Sequence, residues 1–360
     1  MKKTGIVCGS KRRVIAFLCA VLMVLAGCAS LTGCSSAPTL YLFNYGDYID
    51  PQVYDLFEQE TGIRVVYDEY DAPESMYAKF VSGGASYDLI CTSDYMLEKL
   101  ISEGRLAQLN KENIPNLANI AQAQWDSTAF FDPALAYTVP HFWGTLGILY
   151  NTERVSAEEV KSWKVLFDGS HAGRIIMPDS ERDAFFVALT KLGYNPNTTD
   201  EAQLREASDL LKKQKKDVQA YLLDEAARTK VEAEYADLAV IYNGEAYLAF
   251  ESNDKLAYAI PEDGTCIWMD SFAIPSDAAN PAYAEKFLDF LCREDIAKMN
   301  FEYIYYSTPN QKVVDGLDAE VLAEKAIFPD AAVHEKAAVL RYLGSETETL
   351  YSELWKNVKS

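Results

Sequence analysis

The chain is poor in the residues that build metal and redox centres. Of its 360 residues, three are histidines and seven are cysteines. His141, His171 and His334 show no ligand spacing, and no C-x-x-C occurs, so neither a zinc or iron site nor a dithiol centre is written here. The G-x-S-x-G, H-E-x-x-H and P-loop patterns are missing too, which argues against an enzyme. Basic charge is scarce: 33 Lys and Arg stand against 54 Asp and Glu, for a formal net charge of −21. Phosphate backbones need a basic face, so nucleic acid is excluded as a partner. An acidic body suits a cationic ligand instead, although most surface acids serve only solvation.

At 49% hydrophobic and 24% charged, the composition is that of a globular protein, and the length fits two lobes better than one small core. The first 27 residues stand apart, with five cations and no acid. Lys11, Arg12 and Arg13 precede an uncharged apolar run, 14–25, too short to span a bilayer comfortably. Leu25-Ala26-Gly27-Cys28 follows, and Leu31-Thr32-Gly33-Cys34 repeats the pattern. Both resemble the lipobox of bacterial lipoproteins. The expectation is a signal peptide over 1–27, lipidation at Cys28 (alternative Cys34), and a short tether over 28–38. Cys8 and Cys19 fall in the leader. Cys91, Cys266 and Cys292 are isolated in apolar surroundings and read as buried thiols, leaving room for one disulfide at most.

From Leu40 onward, short β-type runs alternate with helical patterns. Strands are expected at Leu40–Phe43, Ile63–Tyr67 and Tyr87–Cys91, with helices at Asp50–Thr61, Pro73–Val81 and Tyr95–Glu103. This order predicts a mainly parallel sheet with helices on both faces. Two strand-like runs, Ala136–Val139 and Leu146–Tyr150, flank His141-Phe142-Trp143-Gly144-Thr145. A second α/β stretch follows, with strands at Arg174–Met177 and Leu238–Tyr242 and helices at Ala184–Leu192 and Thr199–Lys213. The cation run 212–216 sits at the last helix's end, where it suits the dipole. Ser271–Ile274 reads as a strand returning to the first lobe, and the tail from Leu317 as helical. No short repeat is present. The fold class is α/β, a two-lobed clamp. Its ligand cleft should lie between the lobes, beyond the carboxyl ends of the strands.

The segments after those strands share a theme: an aromatic beside a carboxylate. They include Asn44-Tyr45-Gly46-Asp47-Tyr48, Thr92-Ser93-Asp94-Tyr95, Pro178-Asp179-Ser180-Glu181-Arg182-Asp183, Tyr242-Asn243-Gly244-Glu245, Trp268-Met269-Asp270-Ser271 and Tyr306-Ser307-Thr308-Pro309-Asn310. A carboxylate gives an organic ammonium a charge-assisted hydrogen bond. An aromatic face adds cation–π attraction and covers alkyl methylenes. A buried ammonium without an anion would be prohibitive. One such pair is weak evidence; recurrence in both halves of the chain is what points to a polyamine.

With Met76-Tyr77-Ala78-Lys79, Tyr87-Asp88-Leu89, Trp143-Gly144-Thr145 and Lys191-Leu192-Gly193-Tyr194 added, the chain from Leu40 to its end resembles the spermidine/putrescine-binding proteins of bacterial polyamine importers. The resemblance implies a periplasmic-binding-protein-like clamp of type II, with no cofactor, no metal and no catalysis. It makes Tyr45 and Tyr242 replacements for pocket tryptophans. Asp47 matches an acid near a terminal amine. Tyr48, Tyr95 and Tyr306 match pocket aromatics, and Ser93 a polar contact. Asp183 stands at an amine-binding glutamate, and Trp268 and Asp270 at the central stacking ring and its carboxylate. Ser180 replaces an aspartate of some spermidine-preferring members, and Glu245 falls where putrescine-preferring members carry an aspartate. Leu340 falls where a pocket glutamine is usual. These departures lean toward the putrescine type.

Lobe one is expected over 39–142 and 271–309, lobe two over 143–270 and 310–360. The implied partners are a polyamine, the permease subunits of an ABC importer, and the membrane through the lipid anchor. The chain is expected to be a secreted monomer on the outer face of the cytoplasmic membrane or in the periplasm. Competing readings are a binder of a sugar or other small solute, and a polyamine-sensing surface receptor.

Overall fold

A computed structural model describes residues 37–84 and 86–360. The expected signal peptide, Cys28 and Cys34 lie outside the described residues. The first strand, β1 (Thr39–Tyr45), buries Leu40, Leu42 and Phe43. It leads to α1 (Pro51–Thr61), which starts where Asp50 accepts the Gln52 N–H at 2.9 Å. That helix stops at Gly62, whose φ of 72° is natural only to glycine. β2 (Arg64–Tyr70), α2 (Pro73–Val81), β3 (Leu89–Ser93) and α3 (Asp94–Ser102) complete the expected alternation.

The two strand-like runs around His141 prove to be one strand, β4 (Thr138–Asn151), with all fourteen residues buried. Pro140 and Gly144 argue for a break in sequence terms, but both are accommodated. The register shifts between Pro140 and Phe142, so the missing N–H falls at a bulge. At Gly144, a Cβ would overlap the side chains of Trp268 and Asn243, so only glycine lets them pack on the strand.

A short helix, α4 (Gln122–Thr128), precedes β4; after β4 come β5 (Ile175–Met177), α5 (Glu181–Leu192), α6 (Glu201–Gln214), β6 (Val218–Tyr221), α7 (Asp224–Glu232), β7 (Leu238–Tyr242), α8 (Asn243–Ser252) and β8 (Leu256–Ala259). β9 (Ile267–Ala273) then returns between β3 and β4. The strand order is β2-β1-β3-β9-β4-β7-β5-β6, with β8 on β4. Up to Thr145, β4 pairs with β9; from Leu146 it pairs with β7 and β8. One strand therefore serves both lobes.

The sheet is mixed, not mainly parallel. β1–β3, β5–β6 and β5–β7 are parallel, but β4 and β9 run antiparallel to every neighbour resolved in register. Strands that carry the chain from one lobe to the other must traverse against the local direction. Phe57, Phe287 and Leu288 anchor the apolar core on the β1–β3 side. Trp163, Phe185, Phe186 and Leu204 anchor that on the β5–β7 side. Cys91, Cys266 and Cys292 are buried free thiols.

The tail is less helical than expected. After α9 (Pro281–Leu291) and α10 (Glu294–Ile304) come the short α11 (Gln311–Asp315), α12 (Ala319–Ala323) and α13 (Ala331–Lys336), and only α14 (Ser345–Lys359) is long. Between the last two, Ala338 donates to Thr265 O and accepts from Ile267 N, both at 2.9 Å. Those backbone bonds hold the segment extended and carry Leu340 toward the centre of the molecule.

Candidate functional site

A cavity of about 260 Å³ opens between the two lobes. All eleven candidate residues line it. From the first lobe, Tyr45 ends β1, and Asp47 and Tyr48 follow in the turn. Asp47 adopts φ 47°, which aspartate tolerates better than most side chains. Ser93 ends β3 and Tyr95 opens α3. From the second lobe, Asp183 sits in the first turn of α5, Tyr242 ends β7 and Glu245 lies in the first turn of α8. Tyr306 follows α10, where Tyr305 turns the chain with φ 57°.

Trp268 and Asp270 differ from the strand-end expectation: they lie within β9. Residues two apart on a strand share a face, so both address the cavity. Asp270 lies opposite Ser93 of β3, and Trp268 opposite Gly144 of β4.

The rings form a continuous sleeve. Tyr45 and Tyr48 have centroids 5.2 Å apart, and Tyr48 and Tyr306 5.8 Å apart. Trp268 meets Tyr306 edge-on at 5.0 Å and Tyr242 at 5.5 Å. These are favourable aromatic geometries. A Cβ at Gly244 would overlap the Tyr306 ring, so a glycine in α8 makes room for that wall.

Hydroxyls hold the carboxylates. Tyr48 Oη donates to Asp270 at 2.6 Å and Tyr45 Oη at 3.4 Å. Tyr242 Oη donates to Asp183 at 2.6 Å, while the Asp183 N–H donates to Ser180 Oγ at 3.3 Å. Ser180 thus caps α5 as well as lining the cavity. Burial pushes the Asp270 carboxyl up to about 7; the nearby Asp183 adds to this and the tyrosine donors oppose it. Burial also raises Asp183. Glu245 is pushed up to about 7 by burial, against the pull of Arg228.

Several wall residues escape sequence reasoning. Asp94 is buried beside Ser93 and Tyr95, and burial holds its carboxyl far above the usual range. Asp71, Asp224 and Glu225 also face the cavity. Among the described residues, eight carboxylates line it and no lysine, arginine or histidine does. Asp94 is legible in hindsight, since it is the first residue after a strand. Asp224 follows β6, a short strand whose pattern is too weak to read. Ser93 Oγ and Trp268 Nε1 are buried with no partner among the described residues. Leu340 and Cys266 supply an apolar patch where a glutamine was the family expectation.

Two α/β lobes sharing β4 and facing each other across an anionic, aromatic cavity define a solute-binding clamp. The chain belongs to the bacterial extracellular solute-binding protein family, whose profile matches residues 52–329. That family binds and carries solutes and does not catalyse. The chain is 34% identical over 323 residues to the spermidine/putrescine-binding periplasmic protein of Escherichia coli K12, covering 89% of this chain and 92% of that one. To the putrescine-binding periplasmic protein PotF of the same organism it is 27% identical, with 89% and 91% covered. Among solved structures, a Listeria monocytogenes chain matches with TM-score 0.86 and 36% identity, covering 90% of this chain and 99% of that one. The spermidine/putrescine substrate-binding protein PotD of Streptococcus pneumoniae matches with TM-score 0.75 and 32% identity, with the same coverage.

Proposed function

We propose that this protein captures a polyamine, putrescine or spermidine, by lobe closure and delivers it to an ABC importer. The observation that carries the proposal is the cavity itself: among the described residues, eight carboxylates, an unbroken aromatic sleeve and no basic lining side chain. Asp47, Ser93 and Tyr95 approach from one lobe, and Asp183 and Tyr242 from the other, while Glu245 lines the wall beside them. Asp270 takes a central or terminal ammonium, and Trp268 covers the adjoining methylenes. Each cation–π contact contributes about 0.5–2 kcal/mol as closure dries the site. An anionic solute would meet the wrong charge, and a neutral sugar would leave the buried carboxylates unpaired.

The lobes run over 39–142 with 271–309, and over 143–270 with 310–360, in this proposal. The closed form offers its surface to the permease subunits. The protein acts as a monomer outside the cytoplasmic membrane, lipid-anchored at Cys28. The decisive experiment is calorimetry and thermal shift with putrescine, cadaverine, spermidine and spermine. A rise in unfolding midpoint that grows with polyamine concentration is expected. No response to any of them at millimolar concentration would overturn the proposal.

A further inference from the structure

The wall that α7 and α8 contribute holds Asp224, Glu225 and Glu245. Behind it stands Arg228, one turn along α7. Its guanidinium contacts Glu245 at 3.2 Å, Glu225 at 3.7 Å and Glu232 at 3.8 Å. The Arg228 Nε and Glu245 Oε2 atoms pair as ions but are not aligned for a hydrogen bond with each other or with another group. One internal cation thus sits among three acids. Glu245 is buried to 7% exposure, so this contact is its main charge compensation.

Asp224 is different. Among the described residues it has no cationic partner, and its carboxylate accepts no hydrogen bond. Its backbone is held at φ 46°, which turns the first residue of α7 against the cavity. Its surroundings are anionic: Asp183, Asp270 and Asp71 all raise its carboxyl, after burial, to about 7. It lines the same cavity as Tyr242 and Tyr306 of the aromatic sleeve, and its charge adds to the burial that raises both phenols.

We propose that Asp224 is a ligand-pairing carboxylate of this cavity, and that Arg228 is a positioning residue that withholds Glu245 from that role. The inference rests on the polyamine reading and deepens it. Glu245 could pair with an ammonium only where its carboxylate is free, and here it is engaged from behind. The ammonium that would have paired with it is left to Asp224. Both carboxylates lie on the same wall, so the swap shifts the anchor point along the cavity and changes which spacing of amines fits.

The test is calorimetric titration of putrescine and spermidine into wild type, D224N, E245Q, R228Q and the R228Q/E245Q double variant. Asparagine accepts positive φ readily, so D224N removes charge without straining the turn. D224N is expected to weaken the tighter-binding polyamine by about tenfold or more, the loss of one charge-assisted bond. E245Q alone is expected to change affinity by less than about threefold. In the R228Q background Glu245 is released, so E245Q there is expected to cost about fivefold or more, a coupling a merely structural arginine would not produce. R228K should restore the wild-type pattern. Unfolding midpoints of the unliganded variants separate misfolding from lost contacts. The proposal is overturned if E245Q weakens binding as much as D224N, or if D224N binds within about threefold of wild type. A wild type that binds neither polyamine overturns the polyamine reading instead, before any variant is compared.

Discussion

At the scale of single residues, Asp270 connects stability and binding with opposite signs. Its carboxyl, near 7 in the folded cavity, lies well above the ordinary value of about 3.9. A folded-state value raised in this way contributes stability that is complete below the ordinary value and is lost as pH rises through about 7. Lowering pH from 8 to 6 should therefore stabilise the unliganded protein by about 1 kcal/mol through this group. An ammonium ligand needs the charged form, so affinity should fall over the same interval, with protons released on binding near neutrality. D270N should flatten its share of both slopes and weaken binding about tenfold or more. Unfolding midpoints and calorimetric affinities at pH 6, 7 and 8 check this. Equal slopes for D270N and wild type would count against it.

Elements show where the sequence was readable and where it was not. Helices with a proline start and a glycine stop declared themselves: Pro51–Thr61 before Gly62, and Pro73–Val81, match the expected positions closely. β7 likewise matches its Leu238–Tyr242 run, because an apolar stretch of that length has little else to become. β6 was not legible. Its four residues, Val218-Gln219-Ala220-Tyr221, are only half-buried and carry no strong alternation. Missing it hid α7, and with α7 both Asp224 and Arg228. β4 was misread for the opposite reason: Pro140 and Gly144 are local break signals that tertiary packing overrides. Gly144 is testable at this scale. In G144A the new Cβ would overlap the Asn243 side chain and lie 2.7 Å from the Trp268 ring, so strand, Asn243 or ring must yield. Overpacking of this kind costs about 1–3 kcal/mol. Urea unfolding should show that loss, and polyamine affinity should fall with it because Trp268 is displaced. Unchanged affinity would mean that Trp268 keeps its place and that the strand or Asn243 yields instead.

For the whole molecule, the sequence conveyed charge, length and the family before any contact was known. It could not convey how eight acids converge on one cavity, because that convergence depends on turns far apart in the chain. The proposed lipid anchor belongs to this scale as well. Expressed in bacteria with a labelled fatty acid, the full chain should incorporate label. C28S should abolish incorporation, and C34S should leave it intact. Label lost in C34S but retained in C28S would move the anchor to the second match.

β4 gives this molecule its mechanical character. Its ladder is continuous, yet its partners change between Thr145 and Leu146. Held by β9 up to Thr145 and by β7 and β8 beyond it, the strand resists being pulled apart, while the point where partners change can still twist. It acts as a torsion bar, stiff against separation and soft against rotation. If closure turns the lobes about this point, a single pair of optical labels across the cleft should follow opening and closing as one changing distance, whereas several independent distances would mean that the other crossings bend as well.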